Sequence, residues 1–177
     1  AKKVLNPLVI TMMELSLKTA DERILEEMQE ENKLTTEYGK FVSELTYDFR
    51  GEKITLGILR KYIDDNDRET RKEATNALGK TLKANSEYID TIFDKMVKNR
   101  DKMAKKLGYE NYVELGYNIM QRTCYDKDKV AVFRENVLND IVPVVASLKS
   151  DIAKKLGIDE FKLYDDNTYS ENDPAPI

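Results

Sequence analysis

DRETRKEATNALGKTLKANSEYIDTIFDKMVKNRDKMAKKLG is the stretch that decides the fold class, and it covers Asp67–Gly108. Its apolar side chains recur every three or four residues, which is the spacing of one face of an α-helix. Asp67 suits a helix N-cap, and Lys105, Lys106 and Gly108 suit a C-terminus. These features predict one long helix over about residues 67–107, roughly 60 Å long at 1.5 Å per residue. The apolar positions are Ala74, Ala77, Leu78, Leu82, Tyr88, Ile89, Ile92, Phe93, Met96, Val97, Met103, Ala104 and Leu107.

Shorter elements are predicted on both sides of this long helix. Apolar residues at helical spacing predict helices at 4–17, 22–45, 56–62, 112–120, 126–141 and 144–156, and Asn6 and Asn111 are the expected N-caps of the first and fourth of these. A Gly-containing turn between alternating residues predicts a β-hairpin at about 46–55, and a short strand is expected at 161–165. Because so long an apolar stripe has to be covered by other elements, we predict a mainly α fold, a multi-helix layer around one long helix with a small β-hairpin.

Two local features refine this prediction. Pro143 lies within a helical pattern, where it removes a backbone donor, and we expect it to kink or divide the helix. The segments 104–108 and 153–157 both read Ala-Lys-Lys-Leu-Gly. A helical repeat could explain this identity, but we favour two similar C-terminal caps, because the residues upstream of the two copies do not align well.

Composition excludes several function classes. The 177 residues include no histidine, which rules out imidazole-centred catalysis and histidine-based zinc sites for this chain taken alone. A net charge of −4 argues against a nucleic-acid surface, and Cys124 is the only cysteine. No apolar run reaches the roughly 20 residues of a membrane-spanning helix. We therefore expect a cytoplasmic protein that binds neither nucleic acid nor membrane.

Two acidic segments are candidates for metal sites. We interpret 26–31 as a solvated helix face, because a di-metal helical bundle would pair its carboxylates with histidine. The loop 64–67 lacks the Gly and the closing Glu of a calcium loop, so we expect a turn that caps the following helix.

Several stretches, taken in order, resemble a known family. The most specific is RDKMAKKLGYENYVELGY at 100–117, and others are FRGEKITL at 49–56 and DRETRKEA at 67–74. Further matches are Met120, Arg122, Tyr125, Phe133-Arg134, Ile141-Val142-Pro143, Leu156-Gly157 and Tyr164-Asp165. In their order and spacing, these residues resemble the oligoendopeptidase F family of zinc metallopeptidases, which are relatives of thimet oligopeptidase.

The resemblance implies a segment of a longer hydrolase. Such a peptidase holds zinc with His-Glu-x-x-His and a downstream Glu, and in the family these ligands follow the part that this chain resembles. Residues 1–165 would then be a helical shell segment that forms one wall of a channel for short peptides. Residues 166–177 would be a linker towards the missing catalytic domain. We expect zinc in the parent protein but none in this segment, which alone would be inactive.

The resemblance suggests few functional residues within this chain. We expect no catalytic residue and no metal ligand in the chain. The stretch 109–125 is rich in tyrosine, and Tyr109, Tyr117 and Arg122 are candidates for contact with a substrate peptide. Helix packing is the competing explanation for these side chains, because buried tyrosines commonly place their rings in a core.

Two other functions stay open. A free-standing helical adaptor that binds a partner protein would suit the same helices. A catalyst that uses only carboxylates, such as a glycosidase, would need two acids facing each other across a cleft, and the sequence indicates no such pair. A piece of a larger domain would also expose apolar surface, so self-association is predicted.

Overall fold

A computed structural model of the chain describes residues 5–166. The described part is mainly α-helical with one two-stranded antiparallel sheet, which confirms the predicted fold class. The helices are α1 (Pro7–Thr19), α2 (Leu25–Glu44), α3 (Leu56–Ile63), α4 (Arg68–Ala84), α5 (Ser86–Lys106), α6 (Tyr112–Ile119), α7 (Lys127–Asn136) and α8 (Val142–Lys155). The strands are β1 (Thr46–Phe49) and β2 (Glu52–Thr55), and short turns of helix cover Glu22–Ile24, Val137–Ile141 and Leu163–Asp165.

The prediction of one long helix over 67–107 is wrong in one respect. The structure divides it at Asn85, between α4 and α5. The Asn85 side chain donates to the Thr81 carbonyl over 2.8 Å, and its backbone N–H is shared between the Thr81 and Leu82 carbonyls. Asparagine side chains compete in this way with the regular helical bonds. Periodicity alone could not reveal the break, because the apolar spacing continues across it.

The described residues form two compact units. The first contains residues 5–39 and 90–136, and the second contains 40–89 and 137–166. The core of the first unit is Ile24, Met103, Ala104 and Leu115. The core of the second is Tyr47, Phe49, Ile54, Leu59 and Ala74.

The β-hairpin supplies much of the second core. Strand β1 pairs with β2 in antiparallel register from Thr46 opposite Thr55 to Phe49 opposite Glu52, as predicted for 46–55. The turn places Arg50 and Gly51 at φ values of 50° and 87°, a left-handed conformation that is unusual for a residue other than glycine. Arg50 is held there by hydrogen bonds to Glu73 (3.0 Å) and Thr70 (2.8 Å) of α4.

The two Ala-Lys-Lys-Leu-Gly segments adopt the same C-terminal cap. Gly108 and Gly157 have φ values of 87° and 64°, and the residue after each glycine donates its N–H to the carbonyl five residues earlier. These bonds join Tyr109 to Ala104 and Ile158 to Ala153, each over 3.0 Å. This is the Schellman motif, and it confirms the interpretation as caps.

Other local predictions had mixed outcomes. Residues 137–141 form a turn of π-helix directly before α8, whose first turn contains Pro143, so the helix is divided there as expected. The strand expected at 161–165 is wrong, because Leu163–Asp165 forms a 3₁₀ turn. Of the predicted linker 166–177, all but residue 166 lies outside the described residues. None of the described helices is both long and apolar enough to cross a membrane.

Candidate functional site

A cleft of about 380 Å³ lies within the first unit, between α6 and the start of α7. Six of its eleven lining side chains are charged, two are amides, two are tyrosines and one is a valine. The lining residues are Glu110, Asn111, Val113, Glu114, Tyr117, Asn118, Arg122, Tyr125, Asp126, Lys127 and Asp128.

Helix caps build the walls of this cleft. The Asn111 side chain accepts the Val113 N–H over 2.9 Å and begins α6, as predicted. The Asp126 carboxylate accepts the Lys129 N–H over 3.0 Å at the start of α7, and this bond lowers the pKa of Asp126 below its ordinary 3.8. Two helix starts therefore face the same space with their caps in place.

The end of α6 positions the only arginine of the cleft. Gln121 has a φ of 54°, and the Arg122 N–H donates to the Tyr117 carbonyl over 2.9 Å, which turns the chain sharply. The guanidinium of Arg122 lies 5.7 Å from the centre of the Tyr125 ring, a cation–π distance. Tyr125 in turn meets Tyr117 edge to face, with 6.2 Å between ring centroids.

The sequence-predicted site residues separate into two groups. Tyr117 and Arg122 line the cleft together. Tyr109 is not among the lining residues. It packs against the core of the first unit, and its hydroxyl accepts a hydrogen bond from Asn118 over 3.1 Å. Sequence reasoning did not select Asn118 or Tyr125 for the site, although Tyr125 belongs to the tyrosine-rich stretch that drew attention to this region.

The side chains of the cleft are better suited to binding a ligand than to catalysis. Four of its lining residues are acids (Glu110, Glu114, Asp126 and Asp128), and two are basic (Arg122 and Lys127). Arg122 is exposed, and a guanidinium can offer several N–H donors in a plane to a carboxylate or a backbone carbonyl. Aromatic rings beside such a cation supply apolar contact area.

A buried carboxylate in the first unit lies outside this cleft. Glu27 is only 2% exposed, with Lys106 2.8 Å from Oε2 and Lys102 2.7 Å from Oε1, the latter without hydrogen-bond geometry. The Lys102 and Lys106 ammonium groups lower the pKa of Glu27 to about 2, although burial opposes this. The prediction of a solvated face for 26–31 is therefore wrong at Glu27. Glu31 also pairs with Arg100 over 2.6 Å.

The second unit has a comparable group at Asp165, which is fully buried. Arg68 donates two hydrogen bonds to it (3.0 and 2.9 Å), Arg71 donates one (3.2 Å), and the Lys162 N–H donates another (3.0 Å). Burial raises the pKa of Asp165, but the bonds from Arg68, Lys162 and Arg71 outweigh it and hold the pKa below 3.8. Both buried acids are therefore ionised and paired with cations. This pairing makes them unsuitable for proton transfer at neutral pH.

The residues of this chain do not fit a catalytic zinc site. Such sites in the zinc peptidases are built from two histidines with a carboxylate, and the chain has no histidine. Between residues 5 and 166, no three Cys, Asp or Glu side chains come together in a way that could hold a metal ion.

Comparison with known proteins decides the family. The family model described as "Peptidase family M3" matches residues 61–175. The chain belongs to this family. No match was found among curated protein sequences.

Solved structures narrow the M3 family to an oligoendopeptidase F-like segment. The chain is similar to a protein of Bacillus anthracis str. Ames assigned as oligoendopeptidase F, with 36% identity, a TM-score of 0.84 and coverage of 93% of this chain. It is also similar to a second structure assigned as oligoendopeptidase F, with 33% identity, a TM-score of 0.90 and coverage of 96% of this chain. PZ peptidase A, solved with an inhibitor, is 37% identical, with a TM-score of 0.87 and coverage of 93% of this chain. The chain spans 29–30% of the length of these relatives.

Proposed function

We propose that this M3 segment belongs to a zinc-dependent oligoendopeptidase that hydrolyses short peptides, and that it forms part of the wall of the substrate channel. The observation that carries the proposal is the M3 family match together with 33–37% identity to oligoendopeptidase F and PZ peptidase structures. A cytoplasmic location, a contact with a catalytic domain and self-association of the isolated chain are parts of the same proposal.

The segment would contribute no catalytic group. M3 peptidases are generally zinc-dependent, and zinc supplies a polarised water for attack on the peptide bond. Because this chain has no histidine, the ligands would come from another part of the longer protein. The residues of this chain would bind and orient peptide, and the helical wall would exclude folded proteins by size.

The cleft beside α6 is where we place peptide contact. Arg122 is exposed beside the Tyr125 ring and offers donors to a peptide carbonyl or a C-terminal carboxylate. Tyr117 offers a ring and a hydroxyl in the same space. Tyr109 would act as a positioning residue, because its hydroxyl fixes the side chain of Asn118, which lines the cleft.

The test is the steady-state hydrolysis of a quenched fluorescent peptide by the complete natural protein. In the proposed arrangement, Arg122→Ala raises KM about fivefold to tenfold and leaves kcat nearly unchanged, because the contact is made equally in ground state and transition state. The matched control is Arg134→Ala, which removes another exposed arginine of the first unit that does not line the cleft.

The outcomes separate the two parts of the proposal. If the complete protein cleaves the peptide but not a folded protein offered as a second substrate, this result supports size selection by a channel. Equal KM values for Arg122→Ala and Arg134→Ala would remove the cleft from the substrate surface. Absence of any peptide hydrolysis by the complete protein would overturn the peptidase assignment itself.

A further inference from the structure

An apolar stripe runs along the π turn and α8 in the second unit, and residues 5–166 cover only one end of it. Towards the C-terminus, Ala153 is buried, and Ile152 and Leu156 are half-buried. Lys149 pairs there with Asp166 and lies 5.3 Å from the centre of the Phe161 ring, so the segment after α8 returns along this end.

The other end of the same stripe is open. Six large apolar side chains between residues 138 and 148 are between 40% and 63% exposed. Asp140 is the only ionisable residue between these two positions. The exposed residues are Leu138, Ile141, Val142, Val144, Val145 and Leu148.

We propose that this open stripe is the contact face for an uncharged, apolar helix surface in the remaining part of the longer M3 peptidase chain. The proposal rests on the proposed function only in assuming that longer chain. The relatives it matches are more than three times as long as this segment, since the segment spans 29–30% of them. The stripe also continues a face that is already packed at its C-terminal end.

The size of the stripe favours a partner in the same chain. The open stripe offers six large side chains, whereas a stable interface between separate molecules involves about 20–30 residues on each partner. This face is therefore too small to hold a second copy by itself. A covalently linked partner needs far less surface, because its effective concentration is high.

The chemistry of the stripe also disfavours other partners. It carries no cluster of lysines or arginines such as membrane-surface helices place beside their apolar face. An apolar surface without charges gives no electrostatic steering towards a transient partner. A permanent contact that forms during folding suits it better.

Cysteine labelling tests the proposal directly. Val145→Cys places a small thiol on the stripe, and Ser147→Cys places one at an exposed position on the other side of α8, both in a Cys124→Ser background. Maleimide labelling rates are measured for the 177-residue chain and for the complete protein, each at two protein concentrations. Val145→Cys is expected to react at least about tenfold more slowly in the complete protein, and Ser147→Cys at similar rates in both.

Two results would overturn the proposal. Equal labelling of Val145→Cys in both proteins would show that the stripe stays open. Protection in the 177-residue chain that depends on its concentration, with no further protection in the complete protein, would identify a second copy as the occupant. Because labelling does not depend on activity, loss of this proposal and loss of the peptidase proposal can be told apart.

Discussion

Each of the two units buries one carboxylate against two cations of a single helix, but only the second unit also buries one of the cations. Glu27 in the first unit is paired with Lys102 and Lys106, whose side chains are 61% and 34% exposed. Asp165 in the second unit is paired with Arg68 and Arg71, and the Arg71 side chain is only 4% exposed. The lysines can turn into water if the carboxylate is lost, whereas Arg71 cannot.

The arginine cluster also holds more of the backbone in place than the lysine pair does. Arg71 donates to the carbonyls of Asp65, Asn66 and Tyr164 as well as to Asp165. It therefore ties the loop before α4 and the turn near residue 164 to one side chain. A guanidinium can hold several acceptors in fixed directions, while an ammonium acts as a compact charge on a flexible stem. Although each carboxylate has two cationic partners, we therefore expect loss of Asp165 to lower the stability of the fold more than loss of Glu27.

The largest effect is expected from Asp165→Ala. Removing this carboxylate leaves the buried Arg71 without its counter-ion, and breaking a buried pair from one side costs about 3–5 kcal/mol. Urea unfolding of the 177-residue chain, followed by circular dichroism, measures the loss. Asp166→Ala is the matched control, because Asp166 is 46% exposed in its pair with Lys149 and should change the free energy of unfolding by less than about 1 kcal/mol.

A double variant sharpens this result. Adding Arg71→Met to Asp165→Ala removes the unpaired charge, but it also removes the bonds to three carbonyls. The double variant should therefore lose less stability than the sum of the two single losses. An Asp165→Ala variant as stable as Asp166→Ala would contradict the distinction between the two clusters.

Glu27→Gln should have a smaller effect. The amide keeps the shape of the buried side chain, and both lysines can reach solvent, so we expect a loss of about 1–2 kcal/mol in the same unfolding experiment. Glu30→Gln, which removes an exposed partner of Lys33, should have almost no effect. A loss as large as that of Asp165→Ala would show that the lysine pair is as constrained as the arginine cluster.

The smallest expected difference concerns acid pH. The pKa of Glu27 is about 2 in the folded chain against an ordinary value of 4.5, so its ionised form stabilises the fold fully above about pH 4.5. This contribution is lost as the pH falls from 4.5 towards 2, and the gap between wild type and Glu27→Gln should narrow over the same range. Unfolding curves at pH 7, 5, 4 and 3 measure the gap. A gap that stays constant or widens towards pH 3 would contradict the assigned pairing.

Local features of the fold were predictable from the sequence. Asn6, Asp67 and Asn111 cap helices as expected, because each accepts a hydrogen bond from an N–H two or three residues later. Gly108 and Gly157 end their helices for a similarly local reason. Such motifs involve neighbouring residues, so the sequence displays them directly.

Long-range features were not predictable in the same way. Arg71 and Asp165 are 94 residues apart, and neither differs by composition or spacing from an ordinary surface charge. Glu27 was taken as solvated because charge runs usually face water, and only the position of α5 shows that Lys102 and Lys106 cover it. The density of tyrosines in the sequence indicated the region where the cleft lies, but not that Tyr109 packs against the core.

We propose that this chain is a non-catalytic segment of an M3 oligopeptidase. The most direct test of this proposal is hydrolysis of a quenched fluorescent oligopeptide by the 177-residue chain and by the complete natural protein, each with and without a chelator. We predict an inactive segment and a complete protein whose activity the chelator abolishes. A complete protein that ends near residue 177 and cleaves no peptide would contradict the claim and favour the helical adaptor.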